Sequence, residues 1–373
     1  MSGRSARRSP VLRFVAWARG HAAIVASIAI AAILLGVAIA VFGPPLMRPA
    51  GETARGPDGA ATEPADGSSL TDTPSVGPSQ TPSAKPSPSA TGHGGPPVTI
   101  GPPPSATGFP DASNTGIPRG TALSNYTGSC TITTNNLVID GKVFNCSVSI
   151  RAKAVVIKRS KINGQLGTNE GTAYSFTLQD SEVDAGVVQG AVVGSTNMTI
   201  LRSNIHGGAT SVYCYSNCTL RDSYLHGQRL PAGVDWHLGA FLANDNGNDP
   251  GGRTNAWLVH NTIICDARPN SADGGCSGNI NLYGDFGPIT YVTLDNNLFG
   301  ANTGVSYCVY GGQSTSKPYP NADHVVVVNN VFQRGSNGKC GNFGPVTAFD
   351  TARPGNRWEN NVWDNGATVR PAN

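Results

Sequence analysis

Charge is scarce in this sequence. Only 13% of its 373 residues are Asp, Glu, Lys or Arg, and the formal net charge is +3. So small an excess offers no basic surface for nucleic acid, and that partner is not expected. No nucleophile elbow, phosphate-binding loop or His-Glu-x-x-His run is present. Chemistry built on those three motifs is therefore not expected either. Cysteine is missing from the first 129 residues; all eight (130, 146, 214, 218, 265, 276, 308, 340) lie beyond them. An even count confined to one region reads as disulfides of an exported domain, with a four-thiolate zinc site as the lesser alternative. Sequential pairing is the expectation: Cys130–Cys146, Cys214–Cys218, Cys265–Cys276 and Cys308–Cys340.

Glycine and proline are plentiful, at 47 and 27 residues. With many Asn, Ser and Thr between short apolar runs, they suit an all-β chain with many turns. The N-terminus differs. Arg4, Arg7, Arg8, Arg13 and Arg19 make residues 1–21 a basic tail without an acid. Residues 22–42 carry no charge, and as a helix at ~1.5 Å per residue they would reach about 30 Å, enough to cross a bilayer. Gly43-Pro44-Pro45 stops such a helix. The basic flank predicts a signal anchor with the rest of the chain outside the cytoplasm. The alternative is a signal peptide cleaved near Ala38-Ile39-Ala40, which would release a secreted protein. Residues 43–125 then read as a disordered linker, because Pro, Ser and Gly dominate and apolar clusters are missing.

From residue 126 a repeat takes over. Val155-Val-Ile-Lys-Arg-Ser160-Lys-Ile, Phe176-Thr-Leu-Gln-Asp-Ser181-Glu-Val, Ile200-Leu-Arg-Ser203-Asn-Ile and Leu220-Arg-Asp-Ser223-Tyr-Leu share one pattern. An apolar residue is followed by two free positions, Ser, one free position and another apolar residue. Later copies replace Ser by Asn at 261, 297, 330 and 361, and Val138-Ile-Asp-Gly141-Lys-Val is a degenerate first copy. The nine markers are spaced by 19, 21, 22, 20, 38, 36, 33 and 31 residues. Such periods fit stacked solenoid turns, the later ones carrying long loops. One apolar column reads Ile157, Leu178, Ile200, Leu220, Leu258, Leu294, Val327, Trp358. A second reads Ile162, Val183, Ile205, Leu225, Ile263, Phe299, Phe332, Trp363. Short polar markers at a bend can bond backbone groups of their own or the next turn.

Stacked columns with a Ser/Asn ladder at a bend resemble the right-handed parallel β-helix of the pectate-lyase-like superfamily, over residues 126–373. The resemblance implies an all-β solenoid of about nine turns. It also implies a third strand per turn, in a sheet that often floors a polysaccharide groove. Candidates for that strand lie at 190–194, 211–215, 239–243, 279–283, 305–310 and 345–349. The long loops 227–238, 265–278 and 333–344 fall on one side of it, and 244–255, 284–289 and 311–323 on the other, as walls of a cleft.

Several residues could carry chemistry there. Asp235-Trp236-His237 joins an acid and an imidazole to a ring that can stack on a sugar; a loop anchored by a buried Trp is the plainer reading. Asp245, Asp285 and Asp350 each follow a third-sheet strand, where paired carboxylates would serve glycoside hydrolysis and lone ones would serve turns. Asn163, Asp184, His206 and His226 form one column, in which the two histidines are either an acid–base pair or a polar stack. Tyr213, Tyr215, Tyr283, Tyr307 and Tyr310 could provide stacking surface or simply pack. Asn244-Asp-Asn-Gly-Asn-Asp249 resembles a calcium-binding run, making Ca²⁺ a candidate cofactor and a plain turn the alternative. A lyase needs cations for the uronate carboxylate; Arg202, Arg221, Arg229 and Arg253 are available, without a pectate-lyase arginine motif. The resulting expectation is a monomeric, membrane-anchored β-helix that recognises a polysaccharide, leaning to a hydrolase or lyase. His237 and Asp235 lead its catalytic candidates, followed by Asp245, Asp285, His226 and His206. A non-catalytic glycan binder, adhesin or wall protein is the alternative.

Overall fold

A computed structural model describes residues 98–168, 173–244, 252–272, 274–302 and 304–371. The basic tail, the apolar span 22–42 and the linker to residue 97 lie outside it. Among the described residues no helix is long and apolar enough to cross a membrane. Every regular element there is a strand, and every strand pairing is parallel.

Three strands per turn stack into long sheets. The strands before the marker form one sheet, and the first apolar column runs down it in unbroken register: Ile139, Ile157, Leu178, Ile200, Leu220, Leu258, Leu294, Val327, Trp358. The strands after the marker form a second, ten-stranded sheet. Its inner column is Phe144, Ile162, Val183, Ile205, Leu225, Ile263, Phe299, Phe332, Trp363. The third sheet aligns Leu166, Val193, Val212, Phe241, Ile280, Val309 and Val346. Strands Ala191–Leu201 and Thr210–Arg221 run through both the third and the first sheet and join them. The three inner columns meet in one continuous buried core. At about 2 kcal/mol per fully buried aliphatic side chain, stacking supplies what no single turn could.

The ladder explains the sharp bend between the first and second sheets. The residue before each marker has a left-handed backbone, from Gly141 and Arg159 through Asn329 and Asn360, with φ between 45° and 64°. That bend leaves the marker's amide facing the next turn. There Ser181 Oγ accepts from Ser160 N at 3.0 Å, Ser223 Oγ from Ser203 N at 3.1 Å, and Asn297 Oδ1 from Asn261 N at 3.0 Å. All eight Ser and Asn markers are buried. The first turn corrects the expected register. Lys142, not Gly141, holds the marker place, since its amide donates to Ser160 Oγ at 3.0 Å. Gly141 takes the left-handed position instead, at φ 64°. The first spacing is thus 18 residues.

A second left-handed column, rich in asparagine, lies at the opposite bend. Asn136, Ala154, Asn197, Asn217, Asn255, Tyr291 and His324 each turn the chain from the third sheet into the first. Asn255 Nδ2 donates to Asn217 Oδ1 at 2.6 Å, and Asn217 Nδ2 to Asn197 Oδ1 at 3.1 Å. All four disulfides follow the expected sequential pairing.

Residues 98–125 depart from their reading as linker. They form a strap that follows the bend from the last turns to the first. Thr99 O accepts from Asn329 Nδ2, Gly101 O from Asn360 Nδ2, and Gly116 N donates to Arg202 O. Strand Ser124–Asn125 then enters the second sheet beside Lys142–Phe144. Phe109 fastens the strap. It is buried against Leu298, Val331 and Val362, which form an apolar stripe outside the second sheet. Phe109 was overlooked because a single anchor in a Pro- and Ser-rich stretch has no periodicity.

Candidate functional site

The expected site residues fall on two separate faces. His206 and His226 lie on the second sheet, in the column Asn163, Asp184, His206. Their rings stack at 5.4 Å, and Tyr224 stacks on His226 at 3.9 Å. Both imidazoles have partners: His206 Nε2 meets Glu182 Oε1 at 3.0 Å, and His226 Nε2 meets Asn204 Oδ1 at 2.8 Å. The bond from His206, helped by Lys161 and opposed by burial, holds the Glu182 carboxyl down at about 2. Burial, and then the charge of His206, pushes His226 down to about 4. Arg229 joins Asp184 at 3.1 Å. This is a closed polar stack on the compact turns, and Glu182 is its unforeseen hub.

His237, Tyr213, Tyr215 and Tyr310 belong to the third sheet, and Tyr283 directly follows its strand Gly275–Leu282. Strand residues alternate between the core and the outside. Val212 and Cys214 point inward, so Tyr213 and Tyr215 are left half-exposed and meet edge to face at 4.4 Å. The same alternation aligns Tyr213, Leu242, Asn281, Tyr310 and Thr347 as one outward column across five turns. Tyr283 lies two residues beyond Asn281 and donates to its Oδ1 at 3.0 Å. It packs edge-on against Tyr310 at 5.5 Å, and Tyr310 against Tyr307 at 5.7 Å. Burial raises the hydroxyl pKa of both Tyr283 and Tyr310. Glycine makes room for Asn281, since a Cβ on Gly239 would stand 2.2 Å from Asn281 Nδ2.

The walls add aromatic surface that no repeat could announce. Phe286, Tyr319 and Phe343 are exposed at 67%, 43% and 64%, and all three sit on the long flanking loops. Phe343 lies 5.8 Å from Tyr307. Disulfide Cys308–Cys340 ties its loop to the floor. On the other wall Lys317 pairs with Asp285 at 2.8 Å and stands 4.8 Å over the Tyr283 ring. Asp285 is thus held by a lysine. Asp350 caps its own turn, with Oδ1 accepting from Ala352 N at 2.8 Å. Asp245 and most of the oxygen-rich run 244–249 lie outside the described residues. Among the described residues no group of three or more His, Cys, Asp or Glu is placed to hold a metal ion.

Asp235 and His237 stand at one edge of the tyrosine face. Asp235 Oδ1 is 3.5 Å from His237 Nε2, and both side chains are more than half exposed. Trp236 between them is half-buried against the core and anchors the loop. Beside His237 opens a cavity of about 230 Å³ lined by Pro269, Asn270, Ser277, Gly304 and Ser306. Arg202, Arg221 and Arg229, considered as uronate partners, pair instead with Asp180, Asp222 and Asp184 around the ladder bend and second sheet. Arg253 stands 4.7 Å over Tyr291 at the opposite bend.

Comparison with known proteins identified no matching family model, no matching curated protein and no matching solved structure.

Proposed function

We propose that this chain is an extracytoplasmic glycan-binding protein. Its solenoid would be a right-handed β-helix of the pectate-lyase-like type, and residues 22–42 would anchor it in a membrane. One observation carries the binding reading. The outer face of the third sheet presents tyrosines over several turns, between walls that expose Phe286, Tyr319 and Phe343. Flat rings edged by hydroxyls and amides suit the apolar faces and polar rims of sugars. Binding is favoured over cleavage because Asp285, His206 and His226 are already engaged by neighbours. Cleavage by a hydrolase or lyase is the second reading. It rests on the exposed Asp235–His237 pair at the groove edge.

The test is electrophoresis of the full-length protein through gels containing acidic or neutral polysaccharides, with reducing ends and unsaturated products assayed in parallel. At least one polysaccharide should retard the protein, and Tyr310→Ala and Phe343→Ala should weaken that retardation several-fold without product forming. Retardation by none sinks the glycan reading. Product that disappears in His237→Ala replaces binding with catalysis. Recovery of the intact chain with membranes fits the anchor; recovery in the medium, starting near residue 41, fits a cleaved signal instead.

A further inference from the structure

The cavity at His237 does not lie under the outward column that runs from Tyr213 through Tyr310 to Thr347. His237, Gly275 and Ser277 open strands His237–Ala243 and Gly275–Leu282, and Ser306 directly precedes Tyr307–Gly311. The floor residues Asn281 and Tyr310 come four residues later in their strands. At ~3.3 Å per residue that separation is at most roughly 13 Å across the solenoid, shortened by the bulge at Leu238–Gly239. The floor column instead runs along the solenoid, over five turns spaced by ~4.8 Å, or about 19 Å. The two surfaces therefore meet as the stem and arm of a T.

They are also chemically joined. The hydroxyl of Tyr283 donates to Asn281 Oδ1 at 3.0 Å, and Asn281 Nδ2 donates to Gly278 O at 3.0 Å. This chain of bonds runs from the floor back to the residue after Ser277 of the cavity. The cavity has a fixed frame. Cys265–Cys276 closes the loop that supplies Pro269, Asn270 and Gly274. Asn270 Nδ2 holds Pro231 O and Val234 O of the His237 loop, both at 2.9 Å. Phe343 N donates to Ser306 O at 3.0 Å, which sets the exposed Phe343 ring beside the mouth. His237 is the one titratable side chain among the described lining residues; hydroxyl, amide and backbone groups make up most of the rest. This chemistry suits a neutral, hydroxylated ring.

We infer that the site, read as a glycan site, recognises a branched polysaccharide. The main chain lies along the outward column from Tyr213 to Thr347, and a single neutral sugar branch turns aside into the cavity at His237. Phe343 covers the branch, and His237, Ser277 and Ser306 bond its hydroxyls. A linear chain would fill the floor and leave the cavity to water.

Affinity electrophoresis of the full-length protein against matched pairs tests this: linear xylan with arabinoxylan, and linear mannan with galactomannan. In at least one pair the branched member should bind about tenfold more tightly, the worth of one or two hydrogen bonds. His237→Trp fills the cavity from an exposed position, and Ser306→Leu fills it from the opposite side. Each should bring the branched-to-linear ratio close to one, with melting temperature checking the fold. Equal binding of both members in each pair overturns the branch assignment and leaves glycan binding standing. A branched preference that survives both variants also overturns it. Binding of no member in either pair, while another polysaccharide retards the protein, overturns the neutral-branch assignment; retardation by no polysaccharide at all counts instead against the glycan reading itself.

Discussion

The early and late turns solve the same bend with different residues. Between Lys142 and Ser223 the markers are 18 to 22 residues apart and the column is serine. From Asn261 onward they are 31 to 36 apart and the column is asparagine. A serine reaches one neighbour. Ser181 Oγ accepts from Ser160 N, and its proton goes to Gln179 O in its own turn. An asparagine reaches two. Asn297 Oδ1 accepts from Asn261 N and Nδ2, while its own Nδ2 bonds Leu258 O on one side and Asn330 Oδ1 on the other. The second-sheet strands are three residues long in the middle serine turns, such as Glu182–Asp184, and two in the asparagine turns, such as Leu298–Phe299. The stronger crosslink thus coincides with shorter strands and larger loops. Longer loops cost more entropy to close, and the asparagine column supplies extra hydrogen bonds between the turns that carry them.

The largest expected effect tests that contrast directly. Asn297→Ala leaves the Asn261 amide, the Asn330 side-chain acceptor and Leu258 O short of partners in a fully buried column. At ~1–3 kcal/mol for each unpaired buried group, a loss of about 4 kcal/mol follows. Ser181→Ala leaves the Ser160 amide and Gln179 O each short of one partner and should cost about 2 kcal/mol. Thermal melts of the two variants measure the difference. Equal losses would show that asparagine is no stronger a crosslink than serine here.

The second test concerns loops. Removing Cys308–Cys340, by replacing both residues with Ser, opens a link 32 residues apart in sequence and should cost about 3 kcal/mol. Hydrogen exchange should rise in 333–344, where Phe343 is held, and stay unchanged in the serine turns. A rise spread evenly along the solenoid would refute the division into scaffold and site.

These contrasts also show what a repeat can report. Columns such as Leu178–Ile200–Leu220 were legible because a contact one turn away recurs with each turn. The strap was not. Asn329 meets Thr99 across 230 residues, so no local pattern encodes that contact. Phe286 and Phe343 were missed for a related reason: loop residues have no register, and exposure alone marks them. Gly141 misled because a glycine in the left-handed slot resembles a small marker when read one residue out of frame. His206 and His226 drew attention by alignment, although alignment in a solenoid is the default for any outward pair.

The smallest effect separates the two regions by acid. The serine turns carry Lys161, Glu182, Asp184, His206, His226 and Arg229 outside the second sheet, where the late turns place Leu298, Val331 and Val362 under Phe109. Folding keeps His226 neutral, its pKa falling from 6.5 to about 4. The unfolded chain therefore takes up the proton first, and stability falls as pH drops through that window. Glu182, lowered from 4.5 to about 2, contributes stability above 4.5 that is lost on further acidification. Both shifts weaken the early turns in acid. Hydrogen exchange at pH 7 and pH 4 should show protection lost first around 182–206, with the late turns unchanged. His226→Gln should flatten the dependence of melting temperature on pH between 6.5 and 4 by a few degrees. Late turns that loosen first would place the acid-sensitive contacts elsewhere, and the histidine stack would then be packing without electrostatic consequence.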